Sequence, residues 1–333
     1  MAQHGLPQLQ LMLAPGTLHS RGADRMDFTR YGRSGRPRMT GQELLETLPE
    51  IAAIARMVVD GENPHEVATL EDLRKLAVRV NQISRQPQCN GLVFVQGTNS
   101  LEETAYFLSL TVRNDKPIVV TGAQRPYTAL SADGPANLLD AVRVAVAPQT
   151  RGRGVVVVTN GEINAAREVT KTNTYRLHTF RSRDIGVLGY ADADEIVYYR
   201  SPTRRHTVHS EFDVESIESM PQVDVLYVHA GARPDLAQAA LELGAKGLVI
   251  AGSGAGSPGN LAKQLADITS QGRAVVVQSS RVGEGRVVRN NNWSEPGMIA
   301  ADNLPPHKAA MLLALALTCT QDTAKIQRMF DEY

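Results

Sequence analysis

Two threonines stand where an apolar run gives way to a turn. Thr17 closes Pro15-Gly16-Thr17 after Leu9–Ala14, and Thr98 follows Gly97 after Leu92–Val95. A lysine, Lys171, lies in Arg167-Glu-Val-Thr-Lys171-Thr-Asn-Thr174, and a tyrosine, Tyr31, in an irregular stretch. A threonine hydroxyl is a poor nucleophile until a neighbouring base removes its proton. A lysine of depressed pKa, or a tyrosine beside a cation, can be that base. The set points to acyl transfer through hydroxyl nucleophiles, provided the groups meet. Thr98 and Asn99 could also be plain turn and capping residues, because turn chemistry favours both types.

Other chemistries find little support. The chain has no Gly-x-Ser-x-Gly elbow, no Walker lysine loop and no His-Glu-x-x-His. Metal ligands do not cluster at recognisable spacing. Gly252-Ser-Gly-Ala-Gly-Ser257 is a weak dinucleotide fingerprint, lacking an acidic residue at the expected point of a βαβ unit. His65 and Glu66 lie in the polar loop Asp60–Val67, where a lone histidine is ordinarily solvated. Cys89 and Cys319 are too few for a disulfide framework or a cysteine-based zinc site.

The elements that must position these groups alternate. Leu92–Val95 reads as a buried strand ended by Gly97. Ser100 with Glu103 reads as a capping box opening a helix with Leu101, Ala105, Leu108 and Val112 on one face. Thr98 thus falls between a strand's C-terminal end and a helix N-terminus, where open α/β sheets bind ligands and unpaired N–H groups gather. Leu9–Ala14, Pro117–Gly122 and Gly154–Thr159 read as further strands, and Glu195–Tyr199 as a strand or hairpin arm. Gly41–Arg56, Thr69–Ser84 and Pro135–Val146 read as helices. Ser20–Thr40 is long for a connection and reads as a lid carrying Tyr31 or as a surface loop. Beyond the irregular, polar stretch Ser201–Gln222 the alternation resumes, with strands at Val223–His229, Lys246–Ala251 and Arg273–Gln278. Helices are expected at Asp235–Leu243, Leu261–Ser270 and Pro306–Thr318. This order implies parallel sheets with right-handed crossovers.

At 333 residues, two domains are expected. They read as 1–200, carrying the chemistry, and 223–333, joined by a linker at 201–222. Lys plus Arg and Asp plus Glu are both 35, so no charge field points to nucleic acid or a membrane. Met1–Gln10 lacks a basic segment followed by an apolar one, and no run is long enough to span a bilayer. A soluble, cytoplasmic protein is expected.

Several stretches together resemble one family. Gln96-Gly-Thr-Asn-Ser-Leu-Glu-Glu-Thr-Ala-Tyr-Phe107 resembles the His-Gly-Thr-Asp-Thr-x-Glu-Glu-Thr-Ala-x-Phe signature of bacterial-type L-asparaginases. Pro15-Gly-Thr17 is similar to their Gly-Gly-Thr-Ile nucleophile turn. Ser131-Ala-Asp-Gly-Pro-Ala-Asn137, Glu168-Val-Thr-Lys171, Leu188-Gly-Tyr190, Ser279-Ser-Arg-Val-Gly283 and Ile326-Gln-x-x-Phe-x-x-Tyr333 match as well. The resemblance implies a two-domain α/β asparaginase-like fold with parallel-rich sheets and a smaller, flavodoxin-like C-terminal domain. It implies a homotetramer with active sites at a dimer interface. It implies hydrolysis of a small-molecule amide without cofactor or metal. Thr17 falls on the acylated nucleophile and Tyr31 on the lid tyrosine. Thr98 and Lys171 fall on the second threonine and its lysine. Gly16, Gly97, Asn99 and Ala123 fall on positions that hold the substrate, with the Ala123 carbonyl on the amide nitrogen and the Thr98 amide on the oxyanion.

The departures concern substrate. Asn99 stands where the family has an aspartate that grips the α-ammonium. Ala255 and Asn290 stand where a partner subunit's asparagine and glutamate are expected. His65 and Glu66 replace the usual Ser-Gln or Ser-Ser pair. An ammonium without a counter-charge is strongly disfavoured when buried. L-Asparagine is therefore expected to be a poor substrate, and a neutral or differently charged amide, imide or lactam a better one. His65 and Glu66 become candidate specificity residues. Pro15 removes an N–H from the nucleophile turn. That leaves open a scaffold that only binds a ligand, or an enzyme that passes the acyl group to an acceptor other than water.

Overall fold

The computed structural model describes residues 5–61 and 63–333; Met1–His4, which open the N-terminal stretch read above, and Glu62 of the 60–67 loop lie outside the described residues. The chain divides into two compact units, Met1–Ser210 and Glu211–Tyr333.

The first unit is built on a mixed eight-stranded sheet. The strands are β1 (Gln8–Leu13), β2 (Arg56–Val59), β3 (Gly91–Val95), β4 (Ile118–Thr121), β5 (Val155–Thr159), β6 (Glu162–Ala165), β9 (Gly189–Ala191) and β10 (Ile196–Tyr198), while β7 (Thr170–Lys171) and β8 (Phe180–Arg181) form a separate antiparallel pair. The order is β10-β9-β6-β5-β4-β3-β1-β2. From β2 to β5 all pairs are parallel; β6, β9 and β10 are added antiparallel. Helices α1 (Gly41–Glu46), α2 (Leu70–Ser84), α3 (Leu101–Thr111) and α4 (Gly134–Val146) supply the crossovers. Leu9, Leu11, Val93, Val95, Val119, Val156 and Val158 pack with Leu138, Ala141, Val142 and Ala145 of α4. Alternation turns the residues between them to the opposite face. The central strands are apolar on both faces, as expected of covered parallel strands.

The second unit has a four-stranded parallel sheet in the order β11-β12-β13-β14, with β11 (Val223–Tyr227), β12 (Gly247–Gly252), β13 (Val275–Ser280) and β14 (Ile299–Ala300). Helices α5 (Asp235–Glu242) and α6 (Ala262–Ser270) connect them, and α7 (Pro306–Cys319) and α8 (Thr323–Glu332) follow. Ala237, Ala240, Leu265 and Ile268 pack on Leu248, Ile250 and Val276. A Cβ on Gly247 would meet Leu313 of α7 at 2.6 Å, which shows how closely that helix lies on β12.

Two local expectations need correction. The helix expected over Gly41–Arg56 stops at Glu46. Pro49 cannot donate into a helical ladder and turns Leu48 out of the helical region, to φ −130°. A 3-10 turn follows at Pro49–Ala53, and Arg56 starts edge strand β2. The capping box at Ser100 is absent, because Ser100 makes no side-chain cap and its Oγ instead accepts from Gln96 Nε2 at 3.0 Å. Capping boxes do occur at Thr40 with Glu43 and at Thr69 with Asp72. Within the stretch read as a linker, the boundary between the two units falls between Ser210 and Glu211. Ser210 donates to the Leu110 carbonyl, and the unit beginning at Glu211 buries Phe212 against Tyr333, ring centroids 5.0 Å apart. Among the described residues no helix is long and apolar enough to cross a membrane.

Candidate active site

Strands β1 and β3 are parallel neighbours, so their C-terminal ends deliver the 15–17 and 96–98 turns to one place. The Gly97 N–H donates to the Pro15 carbonyl at 3.0 Å. A Cβ on Gly16 would lie 2.4 Å from Gly97 N, and one on Gly97 would lie 2.9 Å from the Pro15 carbonyl oxygen. Only glycine lets the two turns touch. Pro15 spoils nothing here, since its carbonyl makes the cross-turn bond and the Ala14 N–H continues the ladder to Val95.

Thr17 is buried and its Oγ lies 2.8 Å from the Tyr31 hydroxyl. Tyr31 opens a 3-10 turn, Tyr31–Arg33, inside the long segment after Thr17. That segment is tied down. Ser20 Oγ donates to the Gly16 carbonyl at 2.7 Å, Ser34 Oγ to the Arg21 carbonyl at 2.6 Å, and the Tyr127 N–H to the Ser20 carbonyl at 2.9 Å. An ion pair, Arg21–Glu43 at 3.0 Å, joins its start to α1. His19 is fully buried, and among the described residues neither ring nitrogen has a hydrogen-bond partner. Burial and, secondarily, the charge of Arg38 push its pKa down to about 4, so the ring is neutral.

The second cluster centres on Thr98. Lys171 Nζ donates to Thr98 Oγ at 2.7 Å, and the Thr98 hydroxyl donates to Gln124 Oε1 at 3.0 Å. Strand β7 brings the lysine in, and the Lys171 N–H donates to Glu102 Oε1 at 2.9 Å. Glu102 is buried in the first turn of α3. Burial lowers the Lys171 pKa, and the Glu102 carboxylate partly opposes this. The third strand-end turn, after β4, supplies Ala123 and Gln124. Asp133 accepts from the backbone N–H groups of Gln124 and Arg125, both at 2.9 Å, and Asn137 Nδ2 donates to the Gly122 carbonyl at 2.9 Å. The buried Ala123 is thereby fixed from both sides. Two hydroxyls with bases in hydrogen-bond contact, at neighbouring strand ends, can form and cleave an acyl ester.

The model for "Asparaginase, N-terminal" matches residues 9–204, and that for "Glutaminase/Asparaginase C-terminal domain" matches residues 222–330. The chain belongs to the asparaginase family. It is similar to L-asparaginase 2 of Bacillus subtilis, 42% identical over 98% of this chain and 87% of that protein. It is similar to the glutaminase-asparaginase of Acinetobacter glutaminasificans, at 38% over 96% and 97%. The crystal structure of a probable cytoplasmic L-asparaginase from Campylobacter jejuni superposes with a TM-score of 0.88 at 35% identity, covering 98% of this chain and 100% of that one. The two-domain asparaginase fold follows, and with it an amidohydrolase acting on carbon–nitrogen bonds other than peptide bonds.

Within this asparaginase-family chain, the structure brings Thr17 together with Tyr31, Thr98 with Lys171, and Gly16 with Gly97. His65 is carried to the end of β1, its N–H donating to the Leu13 carbonyl at 2.7 Å. Its ring is turned to Asp60, Nε2 to Oδ2 3.2 Å, and Asp60 also takes Arg79 at 2.5 Å. Glu66 and Asn99 are exposed. Ala255 and Asn290 lie in the second unit, Ala255 in the exposed turn after β12 and Asn290 at a positive φ of 55°. Glu102, Gln124, Asp133 and Asn137 gained no role from sequence. Glu102, Asp133 and Asn137 sit inside the motifs that carry the resemblance, so their signal was present. Gln124 had none, because its importance is a contact across 26 residues of chain.

Proposed function

We propose that this asparaginase-family protein hydrolyses a small-molecule amide with Thr17 as nucleophile. Tyr31 takes the Thr17 proton as Oγ attacks the carbonyl carbon. The Thr98 backbone N–H holds the oxyanion, and the Ala123 carbonyl receives an N–H of the amide. The C–N bond breaks and ammonia or an amine leaves with a proton, so Thr17 carries an ester. Water then attacks the ester, giving its proton to the Thr98–Lys171 pair, and the acid departs as Thr17 regains its hydrogen. The observation that carries this reading is the pairing of both hydroxyls with a base at touching strand ends.

The relatives' names make L-asparagine and L-glutamine the reference amides. Asn99, Ala255 and Asn290 support a different preference: Asn99 and Asn290 each leave the α-ammonium with one carboxylate fewer, and Ala255 leaves it with one amide acceptor fewer. A neutral or differently charged amide, imide or lactam fits that arrangement better, with His65 and Glu66 shaping the pocket's selectivity. By the same resemblance the protein works as a homotetramer, and the structure of the probable cytoplasmic relative supports a cytoplasmic one.

A panel of L-asparagine, L-glutamine, uncharged carboxamides, cyclic imides and lactams, read by ammonia release or ring opening, tests this. An amide lacking the α-ammonium should turn over faster than L-asparagine. Thr17→Ala should lose at least about 10³-fold, the scale of removing a nucleophile. Efficient L-asparagine turnover would refute the substrate reading, and an active Thr17→Ala would refute the nucleophile.

A further inference from the structure

The Thr98 hydroxyl has one proton and two partners. Its Oγ lies 2.7 Å from Lys171 Nζ and 3.0 Å from Gln124 Oε1. A hydroxyl donates once and accepts at its lone pairs, while a protonated lysine only donates. With the amine protonated, the Thr98 proton therefore has to point at Gln124. For Lys171 to accept a proton through Thr98, that proton must swing toward Nζ, and the Gln124 oxygen then loses its donor.

The orientation of Gln124 is set by its surroundings. Its Nε2 faces two backbone carbonyls, Arg176 at 3.2 Å and Thr174 at 3.5 Å. A flipped amide would aim its oxygen at both of them. Oε1 must face Thr98 for that reason. The Gln124 backbone is held too, its N–H donating to Asp133 Oδ2 at 2.9 Å. The side chain is anchored by parts of the chain 26 and about 50 residues away in sequence.

We propose that Gln124 is a positioning residue for the reaction read above. It keeps the Thr98 proton turned away from Lys171 and so favours the state with a neutral hydroxyl and a protonated amine. This goes beyond the threonine–lysine pair itself, in which no part had fallen to Gln124. The charged groups around the pair are few. Glu102 on α3 favours the protonated amine. Asp133 is occupied by the N–H groups of Gln124 and Arg125. Arg167 and Glu168, just before β7, pair with one another at 3.7 Å.

The test reads Lys171 directly. Trace acetylation across a pH series, quantified on the Lys171 peptide by mass spectrometry, reports the midpoint of its deprotonation without any substrate. Met matches Gln in length and offers no amide oxygen, and position 124 is only half-buried. Gln124→Met should lower the midpoint by at least about half a pH unit, because the Thr98 proton becomes free to stabilise the neutral amine. In a Thr98→Val background the same change should leave the midpoint where Thr98→Val puts it. No shift, a rise, or an equal shift in both backgrounds would overturn the proposal. The acid limb of kcat for the best amide should move with the labelling midpoint in Gln124→Met. If labelling moves and the limb does not, Gln124 still positions the pair, and it is Lys171's part in the reaction that fails.

Discussion

Lys171 sits between two opposed influences. Burial favours its neutral form and lowers its pKa, while the Glu102 charge favours the ammonium. In the reaction read above, the neutral amine is the working form. Activity should then rise with pH along a limb set by Lys171. Glu102→Gln keeps an oxygen to accept the Lys171 N–H and removes the charge. The pKa should fall further and the acid limb should move to lower pH; a pH profile of kcat in which it stays or moves up would contradict this. Asn99 offers the complementary change. Restoring a carboxylate with Asn99→Asp should raise kcat/KM for L-asparagine about 10- to 100-fold, the worth of one charge-assisted hydrogen bond. Ammonia release from L-asparagine measures it, and an unchanged value would mean that position 99 does not meet the ammonium. At this scale, Thr17, Thr98, Lys171 and Tyr31 were recognisable as chemistry-bearing types and their motif positions gave them roles. Gln124 was not, because a partner chosen by folding leaves no local trace.

Elements explain why those side chains meet. Thr17 and Thr98 converge because β1 and β3 are adjacent and parallel and because Gly16 and Gly97 allow backbone contact. Gly16→Ala would press a methyl onto Gly97 N, and neither atom is on a flexible side chain. We expect a stability loss of at least about 1–3 kcal/mol, the usual cost of overpacking, together with loss of activity. Denaturant unfolding midpoints and the amide assay check both; wild-type stability would show that the turns can move apart. Strand ends were legible from apolar runs stopped by glycine. Boundaries were less so. Pro49 broke a helix whose apolar pattern runs on past it, and the Ser100 hydroxyl accepted from Gln96 instead of capping. In each case a nearby competitor for the same backbone or side-chain group decided the outcome. Strands β2, β6, β7, β8, β9 and β14 were missed, because runs of two to four residues rarely show a period.

The whole molecule sets the last question. The groups proposed to be catalytic lie in the unit Met1–Ser210, while Ala255 and Asn290 lie in Glu211–Tyr333. The family resemblance places the latter pair in the site of a partner subunit. A homotetramer is the expected state, and light scattering or sedimentation should give four times the 36.1 kDa chain mass. A fully active monomer would rule out a shared site.

Sequence by itself determined the family, the alternation of strands and helices, and the groups able to do chemistry. Those depend on residue type and on order along the chain, and both survive in one dimension. Tertiary structure alone decided that Tyr31 reaches Thr17, that Lys171 arrives on a two-residue strand beside Thr98, and that the Gln124 amide oxygen accepts the Thr98 hydroxyl's hydrogen bond. Hydrogen bonds between groups 14, 73 and 26 residues apart depend on which strands become neighbours, and neighbours are chosen by packing.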